Sequence, residues 1–197
     1  METSSMRELI LDAAEELVQI HGFNAFSYRD VATMVGIRSA SIHYHFPKKD
    51  DLALALFRRY HTRLTEILQE ICQREARPEK RLEQYIELFS TLSAEGTRLC
   101  LFAVFSAEAS SLSEEVRREV CSFYHTNIDW ISGVIEEGKR KGAFGFSGLA
   151  GEVARGIFAL LEGEILLKHA FRSSISSPSL PPSLRSLLSW PESAPSP

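Results

Sequence analysis

Residues 27–49, S-Y-R-D-V-A-T-M-V-G-I-R-S-A-S-I-H-Y-H-F-P-K-K, constrain this chain more than any other stretch. Ser27 is a good N-cap, because its hydroxyl can accept from a free backbone N–H of the first helical turn. Val31, Ala32 and Val35 form an apolar edge at helical spacing, which predicts a short helix over 28–35. Gly36 can take positive φ and end it. After a short break, Ser39 or Ser41 can cap a second helix, with Ile42 and Phe46 on its buried side. Pro47 stops that helix, since the residue before a proline is pushed out of the α region. Two short helices joined tightly at a glycine make a helix-turn-helix.

The outward residues of the second helix are Ser39, Ala40, Ser41, His43, Tyr44 and His45. Small residues at its N-terminus let that end approach a major groove, and hydroxyls and imidazoles reach base edges or phosphates. Arg29, Arg38, Lys48 and Lys49 surround this helix against Asp30 alone. Residues 1–60 as a whole carry seven basic and eight acidic side chains, so the positive charge is focused on the motif. The plain alternative is a helical corner with a solvated, charged rim. With Ser27 and Tyr28, these residues form the expected DNA-facing set.

The order of residues narrows the choice. I-L-D-A-A-E-E-L-V-Q-I-H-G-F at 10–23 is followed by D-V-A-T-M-V-G-I-R-S-A-S-I-H-Y-H-F-P-K-K-D-D-L at 30–52. Together they resemble the DNA-binding domain of the TetR family of bacterial regulators, over roughly residues 6–60. The resemblance implies a recognition helix ending in Tyr-His-Phe, a lysine on the DNA backbone at Lys49, and a backbone contact at position 43. There this chain departs from the family, carrying His43 where tyrosine is common.

The rest of the chain reads as all-α. A first helix over 4–22, capped by Ser5 or Ser4, presents Leu9, Ala13, Leu17 and Ile20 on one face and ends at Gly22. Phe23 and Phe26 are expected to turn inward. Further helices are expected over 50–73, 79–94, 98–110, 113–141 and 148–171. The expected organisation is a DNA-binding domain over 1–60, a helical effector and dimerisation domain over 61–172, and a tail over 173–197. That tail holds ten serines and six prolines, a composition that cannot order itself by burial. Leu184, Leu187, Leu188 and Trp190 are its one apolar cluster and a candidate anchor.

Residues 98–110 are apolar nearly all round, which predicts a helix buried in the bundle, where Phe102 and Phe105 serve as core or line a cavity. Arg98 and Cys100 stand beside them. The set expected around a small-molecule effector adds Phe89, Tyr124, His125, Phe158, Leu161 and Glu164. The plain readings are a satisfied histidine at His125 and a helix-edge ion pair of Glu164 with Lys168. The 148–171 helix has two apolar faces. Gly156, Ala159, Gly163, Leu166 and Ala170 make the second, small in its middle. Glycine costs a helix about 1 kcal/mol relative to alanine, so two on one face require a close neighbour. The resemblance implies a four-helix contact between two subunits at this place.

Composition excludes several classes. A net charge of −4 argues against coating nucleic acid or an anionic membrane, but allows one local basic patch. No apolar run approaches the roughly 18 residues of a membrane span, and the N-terminus lacks the pattern of a signal peptide. Three cysteines at scattered positions suit a reducing cytoplasm. No Cys-x-x-Cys, His-Glu-x-x-His or phosphate-cradling glycine loop occurs, so no metal, cofactor or catalytic residue is expected. The expected protein is a homodimeric regulator of double-stranded operator DNA, a repressor released by a small-molecule effector. The alternatives are a sensor of electrophiles or oxidants through Cys100, which lies near a helix start, and a helical-bundle enzyme.

Overall fold

In the computed structural model, which describes residues 5–92, 98–171 and 182–190, every regular element among the described residues is helical. In chain order they are α1 (Met6–His21), α2 (Tyr28–Val35), α3 (Ser39–His45), α4 (Lys49–Arg74), α5 (Pro78–Leu92), α6 (Leu101–Ala107), a 3₁₀ turn (Ala109–Ser111), α7 (Glu114–Arg140), α8 (Ala150–Ala170) and α9 (Pro182–Leu187). The chain packs as two compact units. One gathers the described residues of 1–64 and 97–124, the other those of 65–96 and 125–197. The division falls inside α4 and inside α7. Contact thus groups α6 with the N-terminal helices, which a boundary at residue 60 does not anticipate.

The first unit is built on the faces that the sequence patterns predict. Ser5 caps α1 by accepting from the Glu8 N–H at 3.3 Å. Ile10, Leu11, Ala14 and Val18 of α1 are fully buried, as are Val31, Ile42, Leu52, Leu56 and Phe57. Leu9 and Ile20 were expected on the buried face, but both are about two-fifths exposed. Aromatic rings carry the packing onward. Phe105 lies 5.3 Å from Phe23 and 5.1 Å from Phe57, and Phe57 lies 5.6 Å from Phe123.

Two boundaries in this unit differ from the sequence expectation. α3 begins at Ser39 with Arg38 as its cap, and neither Ser39 nor Ser41 holds that position. α6 is seven residues long, not the thirteen expected over 98–110. Cys100 is its N-cap, and just before it the Leu99 N–H donates to the Gln19 carbonyl at 3.0 Å. At its end, the Ser111 hydroxyl donates to the Glu108 carbonyl at 2.8 Å. Local side-chain bonds of this kind compete with helix continuation.

In the second unit, Leu82, Tyr85 and Ile86 of α5 face Ala154, Ile157, Phe158 and Leu161 in the core. One polar group on the apolar stripe of α7 is satisfied inside: the Tyr85 hydroxyl donates to Asn127 Oδ1 at 2.6 Å, both side chains fully buried. The expected residues 93–94 of α5 lie outside the described residues, as does most of the 173–197 segment. Residues 182–190 do form an anchor. Leu184 and Leu188 are fully buried, and Trp190 sets its ring edge-on to Phe144 at 4.9 Å. The Gly145 N–H donates to the Leu188 carbonyl at 2.8 Å. Leu187, by contrast, is 41% exposed.

Gly138 is required by this packing. A Cβ there would lie 2.2 Å from the Phe144 ring. Alanine is intrinsically better in a helix by about 1 kcal/mol, so the two effects oppose. Gly138→Ala is expected to lower unfolding free energy in urea, since overpacking costs about 1–3 kcal/mol. In a Phe144→Ala background the same change should become stabilising. Stabilisation in both backgrounds would remove the clash from the account.

Candidate nucleic-acid interface and effector cavity

The motif is assembled by specific polar contacts. Asp30 caps α2: its Oδ2 accepts from the Ser27 N–H and from the Ser27 hydroxyl, each at 2.7 Å. Ser27 and Asp30 thus form a reciprocal capping box, in which the Ser27 side chain also accepts from the Asp30 N–H, as the sequence predicts. The two bonds that Ser27 donates hold the Asp30 carboxyl below its usual range. Gly36 adopts φ 75°, ψ 33°, and the Gly36 and Ile37 N–H groups both donate to the Ala32 carbonyl. This is the left-handed turn that only glycine adopts without strain. It sets α3 against α2 with Ile42 buried.

The expected DNA-facing residues divide into two groups. Arg29, Arg38, Ala40, His43, Tyr44 and Lys48 are exposed, with Tyr44 at 84%. Ser39, Ser41 and His45 are half-buried on the same helix. Ser27 is exposed, with its donors turned to Asp30. Tyr28 and Lys49 turn inward instead. The Tyr28 hydroxyl shares its proton between the Phe46 carbonyl at 2.8 Å and the Lys48 carbonyl at 2.6 Å. Burial, then the nearby Asp51 and Asp50 charges, push its pKa up to about 12. It is therefore a neutral donor that fixes the turn after α3, and its ring touches the exposed His43 at 4.7 Å.

Lys49 is a correction to the role implied by resemblance. Its Nζ donates to the Phe23 carbonyl at 2.5 Å and the Phe26 carbonyl at 2.6 Å. The same ammonium lies 4.6 Å and 4.2 Å from the centres of the Phe23 and Phe26 rings. Burial lowers its pKa, and the Glu108 and Asp30 charges oppose that shift. An ammonium held by two carbonyls and two ring faces is engaged inside the protein.

The effector candidates also separate. Phe102, Phe105 and Tyr124 line a cavity of about 290 Å³ between α6 and α7, together with Ser106, Ala109, Leu112, Arg117, Val120 and Cys121. Arg98 is exposed, 4.0 Å from Glu16. Cys100 is buried, with its sulfur 3.3 Å from the Tyr60 hydroxyl. In the other unit, Phe89, Phe158 and Leu161 are buried core, the two rings meeting edge-on at 6.2 Å. There His125 is exposed and Glu164 half-buried. A hollow of about 580 Å³ flanks α3 and α4. Its arginines are already engaged, Arg59 by Glu8, Asp12 and Glu15, and Arg58 by Glu115 and Glu119.

Sequence reasoning missed one connection altogether. Glu108, at the end of α6, accepts from the Asn24 N–H at 2.8 Å. Its Oε1 occupies the space a Cβ on Gly22 would need, at 2.6 Å, and Asn24 Nδ2 donates to the Ser111 hydroxyl at 2.9 Å. Asn24 and Glu108 are 84 residues apart, so no local pattern announces them. Arg117 and Cys121 were also missed. They lie on the polar side of the α7 pattern and meet α6 only once the helices pack.

A helix-turn-helix whose α3 exposes His43 and Tyr44 beside the exposed Arg29, Arg38 and Lys48, carried on further helices, defines a sequence-specific DNA-binding transcriptional regulator. The comparisons name the particular family. Residues 10–56 match the profile described as bacterial regulatory proteins, tetR family. A TetR family regulator from Agrobacterium tumefaciens is 30% identical, with a TM-score of 0.80 and 93% of each chain covered. A TetR regulator from Legionella pneumophila is 30% identical with a TM-score of 0.79, over 87% of this chain and 90% of that one. The HTH-type transcriptional repressor NemR of Escherichia coli K12 is 28% identical over 173 residues, 85% of each chain. The chain belongs to the TetR family.

The three thiols differ sharply in access. Cys72 and Cys121 are exposed and Cys100 is buried. Native protein treated briefly with an alkylating reagent is expected to be labelled at Cys72 and Cys121 and spared at Cys100, as read by peptide mass spectrometry. Equal labelling at Cys100 would restore it as the candidate sensor thiol.

Proposed function

We propose that this regulator is a cytoplasmic, ligand-responsive repressor that binds a palindromic operator as a homodimer. Arg29, Arg38, Ser39, Ala40, Ser41, His43, Tyr44, His45 and Lys48 form its DNA-reading surface. Two α3 helices would enter successive major grooves about 34 Å apart. The effector site is the α6–α7 cavity. The observation that carries this reading is that α6 does two things at once. Phe102 and Phe105 wall the cavity, while the ends of the same short helix hold the N-terminal domain. Leu99 holds Gln19 before α6, and Glu108 holds Asn24 after it. A molecule that displaces α6 therefore loads the α1–α2 loop, whose carbonyls grip Lys49 at the start of α4.

The dimer contact is assigned to the second face of α8. Gly156, Ala159, Leu166 and Ala170 are exposed on it, and Leu167 and Phe171 nearby are about half exposed. An added Cβ at Gly163 meets no heavy atom of the chain within 4 Å. Gly163→Leu should therefore leave the isolated fold intact, and helix propensity favours it by about 1 kcal/mol. In a twofold contact it would overpack both copies at about 1–3 kcal/mol each. DNA selected from random sequence by the wild type is expected to be palindromic. The variant should sediment as monomer at concentrations where the wild type is a dimer, and lose most operator affinity. A variant dimer as tight as wild type, or a selected motif without twofold symmetry, would overturn this reading.

A further inference from the structure

We propose that the α6–α7 cavity takes a small aromatic carboxylate. This rests on the reading of that cavity as the effector site and adds the chemical class of the effector. The cavity is walled mostly by apolar surface from Phe102, Phe105, Leu112, Val120 and Tyr124. Phe102 and Tyr124 lie nearly parallel, 16° between planes and 6.2 Å between centres. Flat rings held in common orientation favour a flat apolar guest, which gains offset-stacked contacts. A volume of about 290 Å³ lies at the small end of ligand sites, which span about 300–1,000 Å³.

Charge then selects among small aromatic molecules. Arg117 is the one charged side chain among the cavity's lining residues, and no carboxylate lines the cavity. An amine would enter beside a guanidinium with nothing to neutralise it. A neutral molecule would gain nothing from the guanidinium's charge and would leave it on Glu114, which is not a lining residue. A carboxylate meets it in the paired geometry that arginine favours. Arg117 now bonds Glu114 across one turn at 2.5 Å, with the two side chains 46% and 65% exposed. Exposed pairs of this kind are weak, so a ligand carboxylate in a partly dehydrated cavity can displace Glu114. The Arg117 bond holds the Glu114 carboxyl below its usual range, so Glu114 remains a charged competitor. The remaining polar lining is Ser106 and the Cys121 thiol, both exposed at the mouth.

The test uses the full chain, free and bound to an operator fragment, with three probes: 4-phenylbutyrate, its neutral primary amide, and 3-phenylpropylamine. Calorimetry measures binding, and fluorescence anisotropy of labelled operator measures release. The wild type is expected to bind the carboxylate about tenfold more tightly than the amide, to reject the amine, and to release DNA with the carboxylate. Arg117→Gln should bring carboxylate and amide to equal affinity. Ser106→Trp fills the mouth from an exposed position and should abolish binding of both, with an unchanged melting temperature. Equal affinities in the wild type, or a carboxylate preference that survives Arg117→Gln, would overturn the carboxylate class while Ser106→Trp still marks the cavity as the site. Binding unaffected by Ser106→Trp, or no binding by any probe, would overturn both the class and the cavity. Carboxylate binding without DNA release would keep the class and overturn the effector role.

Discussion

The N-terminal unit depends on one half-buried cation. Lys49 stands at the first turn of α4, yet its ammonium reaches back to the loop between α1 and α2, where it is held by the Phe23 and Phe26 carbonyls and both rings. A loop carbonyl that leaves water needs a donor, and this side chain supplies one to two carbonyls at once. Phe23 and Phe26 are thereby fixed in the core, both nearly fully buried. Phe23 in turn meets Phe105 of α6, and Phe105 meets Phe57 of α4. The presentation of α3 follows from the same corner, since Tyr28 ties the start of α2 to the carbonyls that lead into α4.

The short helix α6 is tied to the N-terminal helices on both sides. The backbone N–H of Leu99 is used on Gln19, and the carboxylate of Glu108 on the Asn24 N–H. Between those ties only seven residues remain helical, enough for Phe102 and Phe105 to reach the cavity. Glu108 serves a second purpose through its charge, which with Asp30 opposes the lowering of the Lys49 pKa by burial.

Much of the fold was legible because its signals are local. Helical periodicity, Ser5, Gly36 and Pro47 mark where helices begin and end, and those marks lie within a few residues of their effects. The apolar cluster at Leu184, Leu188 and Trp190 was legible as an anchor for the same reason. What was not legible depends on partners distant in sequence. Lys49 and Phe23 are 26 residues apart, and nothing around Lys49 distinguishes a lysine on phosphate from one on carbonyls. Cys100 reads either as a small buried hydrophobe or as a reactive thiol near a helix start, and its burial beside Tyr60 favours the first. The effector candidates drawn from both units were chosen by residue type alone. Packing gathered only Phe102, Phe105 and Tyr124 around one cavity, and added Arg117 and Cys121 from a face of α7 that the apolar pattern does not mark.

The central proposal is that Lys49 acts within the protein while its neighbour Lys48, exposed on the surface, acts on DNA. The decisive measurement is the salt dependence of operator binding, with urea stability, for Lys49→Met and Lys48→Met. Loss of one phosphate contact lowers the slope of log affinity against log salt by about one. Loss of a charged donor to buried carbonyls costs about 1–3 kcal/mol of stability. The account predicts a reduced slope at unchanged stability for Lys48→Met, and reduced stability at unchanged slope for Lys49→Met. A Lys49→Met protein as stable as wild type, with its slope reduced by about one, would contradict it.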